Sequence, residues 1–191
     1  MPETENKPAV VGLSGIKESS SNSSPGVTKN PLISHLCIDS LNYRIEQEEF
    51  SARIYLAMSM WLNNNGFMGA AKLWKRYSDE EMEHANWSRT YLLSFGVTPC
   101  TPALKQPEES FAGLPQIIKK SFDHEVEVST QIKKMATDAM RIGDHILYEL
   151  CLKYLKEQVE EHDKMQTWTD KLTAFGTEGS ALRLLDNEMG E

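Results

Sequence analysis

Apolar residues recur at spacings of three and four along four long stretches of this chain, and nowhere with the period of two that marks a strand, so the chain reads as all-α. The first inward stripe is Leu41, Ile45, Glu48, Ala52, Tyr55, Ser59 and Leu62. It is expected to open at Asn30-Pro31, where asparagine can cap and proline suits the first turn, and to close at Asn63-Asn64-Asn65-Gly66. A second stripe, from about Phe67 to Phe95, reads Ala70, Trp74, Tyr77, Glu81, His84, Ser88, Leu92 and Phe95. The third runs from near Leu114-Pro115 to Ile142 with Leu114, Ile118, Phe122, Glu125, Ser129, Ile132 and Ala139 inward. Gly143-Asp144 turns the chain into a fourth, reaching about Phe175-Gly176, with Leu147, Cys151, Tyr154, Gln158, Glu161, Met165, Trp168 and Leu172 inward. Ala181, Leu182, Leu184 and Leu185 predict a short fifth helix after Gly179.

Short turns join helix 1 to 2 and helix 3 to 4, as suits antiparallel neighbours. Between helices 2 and 3 the chain runs irregularly from Gly96 through Pro99, Pro102 and Pro107 to about Ser110. A connection that long permits a crossover along the bundle, giving a four-helix bundle with a long crossover between helices 2 and 3. Residues 1–29, with Ser19-Ser20-Ser21-Asn22-Ser23-Ser24, carry no apolar period and are expected to be a flexible extension preceding one domain over 30–191.

Each stripe is broken by polar residues near its middle. The expected helices run roughly 31–63, 67–95, 113–142 and 145–174, with midpoints near 47, 81, 127 and 159, and Glu48, Glu81, Glu125 and Gln158 fall within about two residues of these. Midpoints of similarly long helices share one layer of a bundle whichever way each helix points. Glu48, Glu81, Glu125 and Glu161 with His84 then meet in a dry centre, where mutual repulsion requires protonation or multivalent cations. Two divalent metals are the simplest answer, since carboxylate oxygen and imidazole nitrogen suit transition metals. A protonated polar network, or four solvated acids on a less regular bundle, remains open. Glu81-x-x-His84 by itself fits a solvated pair or a single core histidine as well as a ligand pair.

The totals narrow the partners. With 28 acidic against 20 basic side chains the net charge is −8, which argues against nucleic acid and suits a protein that attracts cations. The residues before the first helix add no basic arm, since Lys7, Lys17 and Lys29 balance Glu3, Glu5 and Glu18. Cys37, Cys100 and Cys151 are an odd number without metal-ligand spacing, which predicts free thiols in a cytoplasmic protein. No apolar run is long enough for a membrane span, and no basic segment precedes an apolar one at the N-terminus.

Several short motifs together resemble the non-haem bacterial ferritins: Leu41-Asn42 followed by Glu48 and Tyr55, Glu80-Glu81-x-x-His84-Ala85, His124-Glu125, Glu157-Gln158-x-Glu160-Glu161, and Gly179 with Leu182 and Asp186. The resemblance covers about residues 35–190. It implies a ferritin-like four-helix bundle with a short C-terminal helix and a di-iron ferroxidase centre within one subunit. Glu48, Glu81 and His84 would hold the first iron, Glu81, Glu125 and Glu161 the second, with Glu81 bridging and Gln158 a nearby polar group. Tyr55 is similar to the tyrosine beside this centre that supplies an electron, although an ordinary core aromatic fits its position equally. Glu80, Glu157 and Glu160 match the acids that join Glu161 around a third iron, where spacing alone reads a solvated face.

The same resemblance implies oxidation of Fe(II) by dioxygen or hydrogen peroxide and storage of Fe(III) as a mineral within a homo-oligomeric shell of 24 subunits. Haem is not expected: helix 4 lacks Glu-x-x-His, and no methionine stands out as an axial ligand. His162 stands where a further acid is common, so it could add a ligand, bind nothing or titrate near neutral pH. Three alternatives are a structural shell with little turnover, a di-iron oxygenase or peroxidase acting on an organic substrate, and a DNA-protecting mini-ferritin. The last is weakest, because its metal site lies between subunits.

Overall fold

The computed structural model describes residues 32–191 and forms five helices: α1 (His35–Asn64), α2 (Met68–Ser94), α3 (Leu114–Ile142), α4 (His145–Phe175) and α5 (Gly179–Met189). No strand occurs among the described residues. The Ser-rich segment 1–29 and the expected opening pair Asn30-Pro31 lie outside them. The first helix instead begins at His35, because Ser34 accepts a hydrogen bond from the Cys37 backbone N–H at 3.0 Å and so satisfies a free amide of the first turn. Asp144 caps α4 in the same way through Leu147 N, and its other oxygen accepts from Ser34 Oγ at 2.6 Å. One aspartate thereby pins the starts of α1 and α4 together.

Packing pairs the helices into two hairpins, α1 on α2 and α3 on α4, with sparser contact between α1 and α3. Both tight turns depend on a left-handed glycine, Gly66 (φ 84°) and Gly143 (φ 74°). Apolar side chains collect in two clusters. One holds Leu62, Trp74, Leu114, Ile118 and Met165, from the end of α1, the starts of α2 and α3, and the latter half of α4. The other holds Leu41, Ile45, Leu92, Ile132, Ala139 and Leu147 at the opposite end. Because α2 finishes in the second cluster and α3 starts in the first, residues 95–113 must travel the length of the bundle, which is the long crossover that the sequence predicts.

Four expected core residues, Phe95, Phe122, Trp168 and Leu172, are only half-buried, pressed against the margins of the clusters. The short α5 lies against α2 more than against α4. Asp186 Oδ1 accepts from Ala70 N at 2.8 Å, and the backbones come so close that a Cβ on Gly69 would sit 1.7 Å from the Asp186 carbonyl oxygen.

Candidate metal centre

Between the two apolar clusters lies a layer that the helical period fills with polar groups. Glu48 from α1, Glu81 and His84 from α2, Glu125 from α3, and Gln158 and Glu161 from α4 are all buried. Carboxyl and imidazole atoms of Glu48, Glu81 and His84 lie within 4.8 Å of one another, and a second set within the same limit comprises His84, Glu157 and Glu161. His84 is the member common to both. Its Nδ1 is 3.3 Å from Glu81 Oε2 and its Nε2 is 3.7 Å from Glu157 Oε1. The ring stacks at a tilt on Trp87, 4.7 Å between centroids, and the His84 carbonyl accepts from Tyr154 Oη at 2.7 Å.

Glu125 faces the layer from α3 through different partners. Tyr55 Oη donates a short hydrogen bond to its Oε1, and Gln158 Nε2 donates to Oε2 at 3.2 Å. Gln158 Oε1 accepts from Ser129 Oγ at 2.7 Å, and that hydroxyl also lies 2.9 Å from His162 Nε2. His162 is therefore held between α3 and α4, edge-on to Phe122, rather than standing free on the surface.

Burial and like charge both act on the acids of the layer. Burial, then the charges of Glu48 and Glu125, hold the Glu81 carboxyl well above the usual carboxylate range. Glu125 is pushed up to about 7 by burial, against the lowering effect of Tyr55 and Gln158. Burial raises Glu161 too, opposed chiefly by Lys164. Tyr55 is raised by burial and then by the Glu125 charge, so its proton is firmly held. Four buried acids in one layer resist simultaneous ionisation, and divalent cations relieve that repulsion while using the ligand atoms the layer offers. The donor set fits iron.

Two cations in the layer have no place in the sequence-based site. Arg44, 1% exposed, brings Nε to 2.7 Å from Glu48 Oε1 and donates from Nη1 to Gln131 Oε1 at 3.1 Å. The Glu48 approach is a charge contact rather than an aligned hydrogen bond, so Nε and Nη2 remain buried N–H groups without an acceptor. Lys164 reaches Glu161 and Glu80 across α4 and α2. Each lies one helical turn from a site carboxylate, at i,i+4 and i,i+3, which is the sequence signal that could have found them. Of the acids expected around a third position, Glu157 approaches His84, Glu80 pairs with Lys164, and Glu160 is exposed. Glu83 is exposed as well.

On the same side of the bundle as His124, a cavity of about 320 Å³ is lined by Ile54, Met58, Phe111, Lys120 and His124. His124 hydrogen-bonds Ser51 at 2.8 Å and meets Tyr55 edge-on, and burial lowers its pKa.

The family model of the ferritin-like domain matches residues 38–175. A "probable bacterial non-heme ferritin-like protein" of Haemophilus influenzae is 28% identical over 159 residues, covering 83% of this chain and 96% of that protein. The bacterial non-heme ferritin of Escherichia coli is 29% identical over 152 residues, or 80% and 92% of the two chains. Among solved structures, an open pore ferritin from the archaeon Archaeoglobus fulgidus superposes with a TM-score of 0.80 at 27% identity, covering 83% of this chain and 97% of its own.

Proposed function

The chain belongs to the ferritin-like domain family, and on that premise we propose that it is an iron-storage protein with ferroxidase activity. Fe(II) is the substrate, dioxygen or hydrogen peroxide the oxidant, and Fe(III) is kept as a mineral inside a cytoplasmic shell of identical subunits, 24 by likeness to the family. The observation that carries this reading is the buried layer of Glu48, Glu81, His84, Glu125 and Glu161, contributed by all four long helices.

In the proposed assignment Glu48, Glu81 and His84 bind the first iron, and Glu81, Glu125 and Glu161 the second, with Glu81 shared. Two irons side by side can deliver electrons to an oxidant in pairs, which is the chemistry the metal supplies. The protein's part is to hold and orient. Gln158 and Tyr55 fix the Glu125 carboxylate by a hydrogen bond to each oxygen, and Tyr154 fixes the backbone of His84. Ligation requires the carboxyls to be deprotonated, so filling the layer near neutral pH releases protons, Glu125 being the clearest source. Tyr55, bonded to a proposed ligand, is the proposed electron donor. Glu80, Glu157 and Glu160 with Glu161 are the proposed ligands of a third iron; the approach of Glu157 and Glu161 to His84 supports half of that set.

Anaerobically loaded Fe(II) exposed to air tests the reading through the absorbance of the ferric product. Wild-type protein should oxidise it faster than buffer, Glu81→Ala should fall to the buffer rate, and native sizing should give a large closed particle. Equal rates in all three samples would leave only a structural shell, and a fast-oxidising monomer or dimer would point to an organic substrate.

A further inference from the structure

Lys164 stands one turn beyond Glu161 on α4, and its Nζ donates to Glu161 Oε1 at 2.9 Å and to Glu80 Oε2 at 3.0 Å. Glu161 is buried in the layer while Glu80 is half-exposed on α2, so the ammonium sits where the layer opens towards solvent. The ring of Tyr77 flanks it, with Nζ 5.7 Å from the centroid. Burial disfavours the charge, but the bonds and charges of Glu161 and then Glu80 more than offset it and hold the lysine above its ordinary range.

A divalent ion bridging those two carboxylates would bind their oxygens at about 2.0–2.2 Å, in direct competition with an ammonium that holds one oxygen of each at about 3 Å. We propose that Lys164 is a built-in counter-cation that competes with divalent metal for Glu80 and Glu161, so that a metal occupies this opening only by exchange with the ammonium. The inference rests on the di-metal reading above. The four-carbon stem of lysine lets the head swing into water without moving α4. The side chain is already 33% exposed, so the head has a route to water. A doubly charged ion outcompetes the single charge when metal is abundant, whereas at low metal the lysine holds the two acids together. Lys164 acts through Glu80 and Glu161 and is a positioning residue. Its effect is to make occupancy of the opening respond to metal supply.

Anaerobic calorimetric titration of the assembled metal-free protein with redox-inert Zn(II) reads this directly. Lys164→Met should bind one more ion per subunit than wild type, or bind its last ion roughly tenfold tighter, and Lys164→Arg should restore wild-type behaviour. Unchanged number and affinity in Lys164→Met would overturn the proposal. Lys164→Gln removes the same charge should the methionine variant fail to assemble. A structure of wild-type protein at saturating Zn(II) gives a second, variant-free reading. Zinc between Glu80 and Glu161 with Nζ displaced supports the exchange, and an undisturbed lysine refutes it. Glu81→Ala, titrated alongside, separates the two levels, since wild-type binding in that variant would remove the di-metal reading whatever Lys164 does.

Discussion

Arg44 and Glu48 form an ion pair one turn apart on α1, Nε to Oε1 at 2.7 Å, with both side chains at most 2% exposed. A buried pair is worth little against apolar replacements, but removing one member strands the other. Arg44→Met should therefore lower the stability of the metal-free subunit by about 3 kcal/mol or more. Bound Zn(II) supplies the missing positive charge, so the deficit should shrink in the loaded protein. Thermal unfolding with and without zinc checks this, and an equal loss in both states would contradict it.

The metal-free protein should lose stability as pH rises from about 4.5 to about 7, the interval between the ordinary value and the raised value of Glu125. A folded pKa above the unfolded one means that the fold binds the proton more readily, so its contribution is full below the lower value and gone above the upper. The gap corresponds to something on the order of 3 kcal/mol. Glu81 and Glu161 shift in the same direction. Melting temperature measured across this window should fall without metal and level off or rise with Zn(II). A flat metal-free profile would mean that burial in the layer does not hold these carboxyls above their ordinary range.

Tyr55→Phe should separate holding from electron transfer. Losing the hydroxyl leaves Glu125 with Gln158 alone, moving the pH midpoint of metal binding upwards by roughly one unit while costing about 1 kcal/mol of stability. If Tyr55 only orients Glu125, raising the pH should restore full oxidation kinetics. A persistent slowing of the first turnover at saturating Fe(II) and high pH is the outcome expected of an electron donor.

Gly69→Ala should undock α5. Its Cβ would fall 1.7 Å from the Asp186 carbonyl oxygen, so helix or tail must shift. A loss of about 3 kcal/mol and faster proteolysis of the C-terminal segment are expected. Gly179→Ala meets no atom within 4 Å and starts a helix, so it should be neutral or stabilising by about 0.5 kcal/mol.

Much of this architecture is legible in the helical period. Glu48, Glu81, Glu125, Gln158 and Glu161 are polar breaks in apolar stripes, and all five are buried between the two apolar clusters. Periodicity names a face but not the reach of a side chain across it. Arg44 escapes because Ile45 already fills the stripe at that level, and the period does not show that its chain neighbour, about 100° round the helix, is buried too. Lys164 escaped because its backbone position reads as solvated while its stem carries the charge back to Glu161. Phe95, Phe122, Trp168 and Leu172 lie on the right stripes but pack only at cluster margins, where a repeat cannot say how far the neighbouring helix extends. Asn30-Pro31 is the start that the sequence predicts, whereas the hydrogen bond from Cys37 N identifies Ser34 as the cap of the described helix.

The division into two hairpins bears on when a subunit can first hold metal. Glu48, Glu81 and His84 belong to the α1–α2 pair, whereas Glu125, Gln158 and Glu161 belong to α3–α4, and the crossover that separates the pairs closes a large loop. Each hairpin can form from contacts near in sequence, while their docking waits on the slower long-range closure. An undocked chain owns the three proposed ligands of the first iron on one hairpin, while the second site lacks Glu81 until the hairpins meet. Iron present during synthesis would thus favour the docked state by mass action, fastening the two hairpins across the interface where direct helix contact is thinnest.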